Sequence, residues 1–298
     1  MSSEATSKKV KNILLAEHAG FCYGVKRAVE TTKRLKLDNP QEEVSVLGEL
    51  IHNEQVILEL EKLGIKQIND VDSAEKDCGV CVIRSHGVPT VVYEKLESKG
   101  FKIADLTCPD VKKVQQKALE LVKDGYLLII VGKSEHPEVV AIKANAEACS
   151  EDVFVVSNVE SLKIIEEKIK THKKIGIVVQ TTQRKEVLQE IVSYILPLSS
   201  EIKVFNTICA STTLRQNDAR ELAKKSDLMV VVGSKNSANT SHLAQILQDI
   251  TTTIHVEKAD ELTMFANEIN NASNIGVTAG ASAPDYLIKE ILNELKKY

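Results

Sequence analysis

Short, fully apolar runs alternate along this chain with segments whose apolar residues recur every three or four positions. Runs such as LLIIV and LMVVV are typical of parallel strands that are buried on both faces. The amphipathic segments between them have the period of helices with one buried side. The pattern therefore predicts an α/β protein built on mostly parallel sheets.

One predicted strand-to-helix turn carries a cysteine. In EHAGFCYGVKRAVE, Cys22 lies between Gly20 and Gly24, after the apolar residues 13–16 and before a segment with helical spacing. Two other cysteines, Cys108 and Cys209, also follow a short strand-like segment and open a helix-like one. The three positions are therefore predicted to be equivalent turns of an internal repeat.

The repeat extends to a second and a third polar turn. A glycine follows Cys108 and Cys209 after 24 residues, at Gly132 and Gly233, and follows Cys22 after 26, at Gly48. The side chains four residues beyond these glycines are His52, His136 and Ser237. The third turn lies 49 residues beyond Gly132 and Gly233 and 38 beyond Gly48, which places there Thr181, Ser282 and His86.

These equal spacings predict three related lobes, at residues 12–107, 108–205 and 206–298. All of the polar turns follow predicted strands, at the edge of an open parallel sheet where ligands bind. Three lobes that face one another would bring the turns around one central cavity.

Composition limits the functions that this cavity can serve. The chain has 298 residues and a net charge of −4, which argues against general nucleic-acid binding. It contains no apolar stretch of the roughly 20 residues that a membrane helix needs, and its polar N-terminus is not a secretory signal. We therefore expect a cytoplasmic protein, in which cysteines stay reduced and bind metals or take part in chemistry.

Three thiols from separate lobes suit either a three-cysteine zinc site or an iron–sulfur cluster. Helix N-termini lower thiol pKa values and favour the thiolate that binds metal. Zinc ligands usually come in closely spaced pairs, whereas Cys22, Cys108 and Cys209 are 86 and 101 residues apart. A 4Fe–4S cluster with three thiolates would leave one iron open to substrate. Structural roles are expected for Cys78, Cys81 and Cys149, since CGVC opens no helix.

The second and third turns have the composition of a phosphate or diphosphate site. They combine imidazoles, hydroxyls and amides near predicted helix starts, which hold compact anions. The residues are His52, His86, His136, Thr181, Thr182, Ser237, Asn239 and Ser282. Glu138, two residues after His136, is the acid best placed to deliver a proton, because burial would raise its pKa.

With these residues assembled, the chain resembles the 4-hydroxy-3-methylbut-2-enyl diphosphate reductase family of the non-mevalonate isoprenoid pathway. The resemblance runs from Asn12 to the C-terminal helix. It rests on eight motifs in order: GFCYGVKRA, IHN, SHGVP, TCPDVKKV, HPEV, QTTQ, VVGSKNS and TAGASAPD. It implies three α/β lobes in a pseudo-threefold arrangement.

The resemblance also implies a role for each matched residue. Cys22, Cys108 and Cys209 match the ligands of a 4Fe–4S cluster with one open iron. The residues that match diphosphate contacts are His52, His86, His136, Ser237, Asn239 and Ser282. Glu138 matches the proton donor, with His136 in its proton path and Thr181 and Thr182 orienting the substrate hydroxyl and a water. Ala238 stands where the family often has a second serine, so one hydroxyl is missing.

The implied reaction removes the allylic hydroxyl with two electrons and two protons, and gives isopentenyl and dimethylallyl diphosphate. Ferredoxin or flavodoxin would supply the electrons, and a monomer would suffice because one chain carries every site residue. Two other readings stay open on the residues alone. An iron–sulfur hydro-lyase would use the same cysteines without a reductant, and a non-catalytic metal-binding protein would use them without turnover.

Overall fold

A computed structural model of the chain describes residues 11–72, 74 and 79–298. The strands in these residues are β1 (Asn12–Leu15), β2 (Val44–Leu47), β3 (Lys66–Ile68), β4 (Val80–Ile83), β5 (Lys102–Asp105), β6 (Leu127–Val131), β7 (Val153–Val156), β8 (Lys174–Val179), β9 (Glu201–Val204), β10 (Leu228–Val232), β11 (Thr252–Val256) and β12 (Asn274–Ala279).

The helices follow the strands in alternation, as the apolar pattern predicts. They are α1 (Tyr23–Asp38), α2 (Glu54–Lys62), α3 (Thr90–Ser98), α4 (Pro109–Lys123), α5 (Pro137–Glu147), α6 (Val159–Lys163), α7 (Glu166–Thr171), α8 (Lys185–Ile195), α9 (Ala210–Ala223), α10 (Ala238–Gln248), α11 (Ala266–Asn271) and α12 (Asp285–Leu295), with a 3₁₀ helix at Ala259–Phe265. In the described ranges, no helix is long and apolar enough to cross a membrane.

The described strands form three four-stranded sheets in which every pairing is parallel. The strand orders are β3-β2-β4-β5, β7-β6-β8-β9 and β11-β10-β12-β1. In each sheet the chain starts at an inner strand, moves to one edge and then returns past its starting point. The direction of winding thus reverses between the two inner strands, and ligands bind at the carboxyl ends of such a pair. The α/β class with three related parallel sheets is confirmed.

The chain divides into two compact units. Residues 22–212 contain the first two sheets, and residues 11–21 with 213–298 contain the third. β1 lies at the start of the chain, yet it pairs with β12 in the third sheet, with Asn12 opposite Asn274. The strand that precedes each of the three cysteines is therefore the last strand in the order of its sheet. The predicted lobe boundaries themselves stay a prediction.

Buried strands and one-sided helices explain why these sequences fold as they do. All five side chains of β6 and all five of β10 are buried. The apolar stripe of α4, which includes Val114 and Leu121, packs on the sheet that contains β6 and β8. Leu121 sits against Gly176 of β8, where a Cβ would approach the leucine Cδ2 to 2.8 Å. This packing fixes α4, and with it the position of the cysteine at the helix start.

Candidate functional site

Each of the three cysteines directly precedes a helix, as the sequence pattern predicts. Cys22 is the N-cap of α1 and Cys108 is the N-cap of α4, while Cys209 is followed by α9. The carbonyls of Cys22 and Cys108 accept the first backbone hydrogen bonds of their helices, at 2.9 Å each. The three thiols are partly buried rather than enclosed in the core.

Two of the cysteines are anchored by the same backbone contact. The Cys108 N–H donates to the Ser85 carbonyl at 2.9 Å, and the Cys209 N–H donates to the Thr181 carbonyl at 3.1 Å. Ser85 and Thr181 each lie two residues beyond an inner strand, β4 or β8. The cysteine turns are therefore tied to the third polar turns that the repeat predicts.

Gly24 lies against the Cys108 thiol. A Cβ at position 24 would come within 2.7 Å of the Cys108 Sγ, so the first turn of α1 needs glycine there. The Cys22 thiol is also close enough to interact electrostatically with Cys108 and Cys209, and it raises the pKa of both. Residues 22–212 thus bring together the three predicted ligands.

Burial dominates the electrostatics of these thiols. It raises the pKa of Cys108 to about 11, even though the backbone N–H groups of Asp110 and Val111 act in the opposite direction. Burial also raises the pKa of Cys209. The helix N-termini therefore do not suffice to give thiolates, contrary to the sequence-based expectation. A bound cation or positively charged cluster core would supply the missing stabilisation, so the donor set suits such a group.

The other cysteines lie apart from this group in character. Cys81 is fully buried in β4, and burial raises its pKa to about 11. Cys149 is exposed. Cys78 lies outside the described residues. The structural role expected for Cys81 agrees with its position in the core.

Three predicted histidines form a compact group. His52 lies between β2 and α2, His86 between β4 and α3, and His136 is the N-cap of α5. The ring centroid of His86 is 4.8 Å from that of His52 and 5.4 Å from that of His136. The His52 and His136 centroids are 5.9 Å apart. The two sheets of residues 22–212 thus both contribute to one imidazole triad.

The partners of the rings define the chemistry of this triad. The Nδ1 atom of His136 accepts the Glu138 N–H at 3.2 Å, so the proton of the neutral ring is on Nε2. Burial, then the charges of His52, His136 and Arg84, hold the pKa of His86 well below its usual value. The ligand atoms of the triad lie within 4.8 Å of one another, which a metal ion could also use. A donor Nε2–H on His136 favours an anion instead.

Glu138 is a buried carboxyl held by one neighbour. It is 1% exposed, and its Oε1 and Oε2 accept the N–H and the hydroxyl of Thr181, at 2.7 and 2.8 Å. Burial raises the Glu138 pKa to about 7; the bonds from Thr181 lower it and the Asp110 charge adds a smaller increase. This carboxyl can hold and release a proton near neutral pH.

Two polar residues of this region were missed by the sequence reasoning. Asp110 is close enough to raise the pKa values of Cys108, Cys209 and Glu138. Gln180 accepts the Lys133 N–H at 3.1 Å and donates to the Thr182 hydroxyl at 3.0 Å. Asp110 lies in the TCPD motif and Gln180 in QTTQ, so their place beside predicted site residues was the available signal.

The structure corrects the alignment of the third turns by one residue. The turn that follows each inner strand is closed by a backbone hydrogen bond to a carbonyl three residues earlier, namely Gly87 to Arg84, Gln183 to Gln180 and Ala283 to Gly280. The equivalent of His86 and Ser282 is therefore Thr182, and not Thr181 as the equal spacing of 49 residues suggested.

In the unit of residues 11–21 and 213–298, three predicted polar residues come together. Ser237 is the N-cap of α10, and Asn239 in its first turn accepts the Ala281 N–H at 3.3 Å. Ser282 follows in the same turn, and all three side chains are buried. Asn239 and Ala281 repeat the contact of Glu138 with Thr181, with an amide in place of the acid. Ala238 is buried beside Ser237.

Comparison with known proteins gives one consistent result. A family model described as LytB protein matches residues 13–296. The chain is similar to a 4-hydroxy-3-methylbut-2-enyl diphosphate reductase of Aquifex aeolicus, with 39% identity over 287 residues, or 96% of each chain. Its counterpart in Caldanaerobacter subterraneus is 40% identical over 286 residues, which are 95% of this chain and 96% of that one.

Solved structures agree. One is (E)-4-hydroxy-3-methyl-but-2-enyl diphosphate reductase, the terminal enzyme of the non-mevalonate pathway, which is 38% identical with a TM-score of 0.71 and coverage of 97% of this chain and 100% of that chain. Another is the E-1-hydroxy-2-methyl-but-2-enyl-4-diphosphate reductase of Plasmodium falciparum, 28% identical with a TM-score of 0.86 over 95% of this chain and 87% of that chain.

Proposed function

The chain belongs to the LytB protein family of reductases, and we propose that it reduces 4-hydroxy-3-methylbut-2-enyl diphosphate by means of a 4Fe–4S cluster. The products would be isopentenyl and dimethylallyl diphosphate. The observation that carries the proposal is the convergence of Cys22, Cys108 and Cys209 on one another from equivalent helix starts.

The three cysteines are the residues that would hold the cluster. Their partly buried thiols resist ionisation on their own, and Gly24 leaves room beside Cys108 that a Cβ would fill. When bound with three thiolates, a 4Fe–4S cluster supplies single electrons and one iron that is open to an oxygen ligand. Among the described cysteines, Cys81 and Cys149 show no part in this group.

Glu138 is the proposed proton donor to the leaving oxygen of the substrate. Its pKa of about 7 leaves much of the carboxyl protonated at neutral pH, and burial keeps bulk water from it. Thr181 holds both carboxylate oxygens and so fixes the direction of transfer. His136 is joined to Glu138 through the backbone and would return a proton to it, with Thr182 orienting the hydroxyl or a water.

The diphosphate is proposed to bind the imidazole triad of His52, His86 and His136. The buried Nε2 of His52 and the buried Nδ1 of His86 have no hydrogen-bond partner in the structure, and a bound anion would supply one. Ser237, Asn239 and Ser282 match further diphosphate contacts of the family. At position 238 the alanine offers its backbone N–H at the start of α10, but no hydroxyl.

The proposal includes a one-electron carrier such as ferredoxin or flavodoxin, action as a monomer and a reducing, cytoplasmic setting. The relatives support the reductase activity, and the residues of this chain support the cofactor. A hydro-lyase with the same cysteines would need no electron carrier, which separates the two readings by experiment.

The decisive experiment is an anaerobic assay of the purified chain with the hydroxylated allylic diphosphate and dithionite. We expect both isoprenoid diphosphates as products, and about four irons and four sulfides per chain. Turnover without dithionite would indicate a hydro-lyase. A colourless zinc protein without turnover would overturn the proposal.

A further inference from the structure

Glu49 is bonded to one member of the imidazole triad. Its Oε2 lies 2.9 Å from the Nδ1 of His52. Gly48, which ends β2, has a φ of +70°, and this left-handed turn leads the chain into Glu49. Because an ionised carboxylate only accepts hydrogen bonds, the His52 Nδ1 is the donor. The contact therefore leaves the His52 Nε2 as the ring atom that is available to a ligand.

The other two rings of the triad have different partners. His136 uses its Nδ1 to accept the Glu138 N–H, so its neutral form already presents an Nε2–H. His86 is kept neutral by burial and by its neighbours. In contrast, the Nε2 of His52 is buried and unpartnered, and in a neutral ring with a proton on Nδ1 it can only accept. An incoming anion needs a donor at this atom.

We propose that Glu49 is a positioning residue that fixes the orientation of His52 and balances the charge of a second proton, taken up on Nε2 when an anionic diphosphate binds. This inference rests on the proposed function, because it assigns the triad to the anion. Glu49 does not touch the substrate. It acts through His52, in the manner of a carboxylate that stabilises an imidazolium.

The charged groups around His52 are compatible with this role. Arg84 flanks the same turn, since a Cβ at Gly48 would lie 2.5 Å from its Nη1. Burial lowers the Arg84 pKa and Glu49 raises it, so the carboxylate is shared between a guanidinium and an imidazole. His86 and His136 face His52 from the other side. The repeat gave no hint of Glu49, because Lys133 and Ser234 follow the equivalent glycines.

The test uses the cluster-loaded protein under anaerobic conditions and inorganic pyrophosphate as the probe. Titration calorimetry at pH 8 in buffers of different ionisation enthalpy gives both the Kd and the number of protons taken up on binding. Glu49→Gln keeps an acceptor for Nδ1 but removes the charge, and Glu49→Asp restores the charge. Glu61→Gln removes an exposed carboxylate from the same helix as a control.

We expect Glu49→Gln to weaken pyrophosphate binding about tenfold and to take up about one proton fewer than the wild type. Glu49→Asp should recover part of both, and Glu61→Gln should change neither. Weaker binding with unchanged proton uptake would mean a purely structural role and overturn the proposal, as would unchanged binding. Because pyrophosphate binding is measured apart from turnover, a protein that binds it normally but lacks reductase activity would refute the proposed function alone.

Discussion

Thr181 donates two hydrogen bonds to Glu138, from its N–H at 2.7 Å and from its hydroxyl at 2.8 Å. Both oxygens of a fully buried carboxyl are thus fixed by a single residue in the turn after β8. The hydrogen bonds favour the carboxylate, whereas burial favours the neutral acid, and burial is the stronger effect. The balance leaves a proton that is held near neutral pH and aimed in one direction.

Glu138→Gln should abolish turnover and leave the cluster in place. The amide has nearly the same shape, but it cannot deliver a proton, so we expect kcat to fall by roughly 10²–10⁴-fold. The measurement is the dithionite-driven rate, together with the iron content and visible absorbance of the same sample. Glu147→Gln, an exposed position on α5, is the matched control. A normal rate in the Glu138 variant would remove this residue from the mechanism.

The rate should fall as pH rises through the Glu138 pKa. The protonated acid is the active form, and burial raises its pKa to about 7, above the usual 4.5. We therefore expect an alkaline limb near pH 7, with kcat falling about tenfold per unit beyond it. A pH–rate profile with dithionite held in excess tests this. A rate that stays constant from pH 6 to 9 would contradict the assignment.

Gly24→Ala should lower the occupancy of the cluster. The added Cβ would lie 2.7 Å from the Cys108 Sγ, so either α1 or the thiol must move. Alanine in a helix is otherwise favourable by about 1 kcal/mol, so any loss reports the clash and not a weaker helix. We expect fewer than about half of the four irons to be retained after anaerobic reconstitution. Lys26→Ala, an exposed position on the same helix, should bind the full complement.

Ala238→Ser should improve substrate affinity. The position is buried in the first turn of α10 beside Ser237, so a hydroxyl there would add one donor without solvent competition. One hydrogen bond to a charged oxygen corresponds to a KM lower by roughly tenfold, with kcat little changed. Ala148→Ser, exposed at the end of α5, controls for the substitution itself. An unchanged KM would show that position 238 does not meet the diphosphate.

Much of this architecture could be predicted from the sequence because burial imposes visible patterns. The apolar run of β6 has the composition of a doubly covered strand, and it is one. Cysteines before helices at similar intervals identified the three thiols. Neither feature depends on how distant segments pair, so both can be read from local sequence.

Features that depend on distant pairing or loop length could not be predicted. β1 pairs with β12, some 260 residues away, and no local signal specifies that partner. The equal spacing to Thr181 and Ser282 misled because the connection from α10 to β11 is one residue shorter than that from α5 to β7, as the strand registers show. The contact of Glu49 with His52 depends on side-chain orientation alone.

Thr181→Val and Thr182→Val should separate the two threonines. Removing the Thr181 hydroxyl deletes one of the bonds that lower the Glu138 pKa, so the alkaline limb of the rate should move up by about one pH unit. Thr182 accepts a hydrogen bond from Gln180 instead, and its replacement should leave the limb in place whatever it does to the rate. Matched pH–rate profiles measure both. If the limb moves equally in the two variants, or in neither, the contact between Thr181 and Glu138 does not set the proton affinity of the acid.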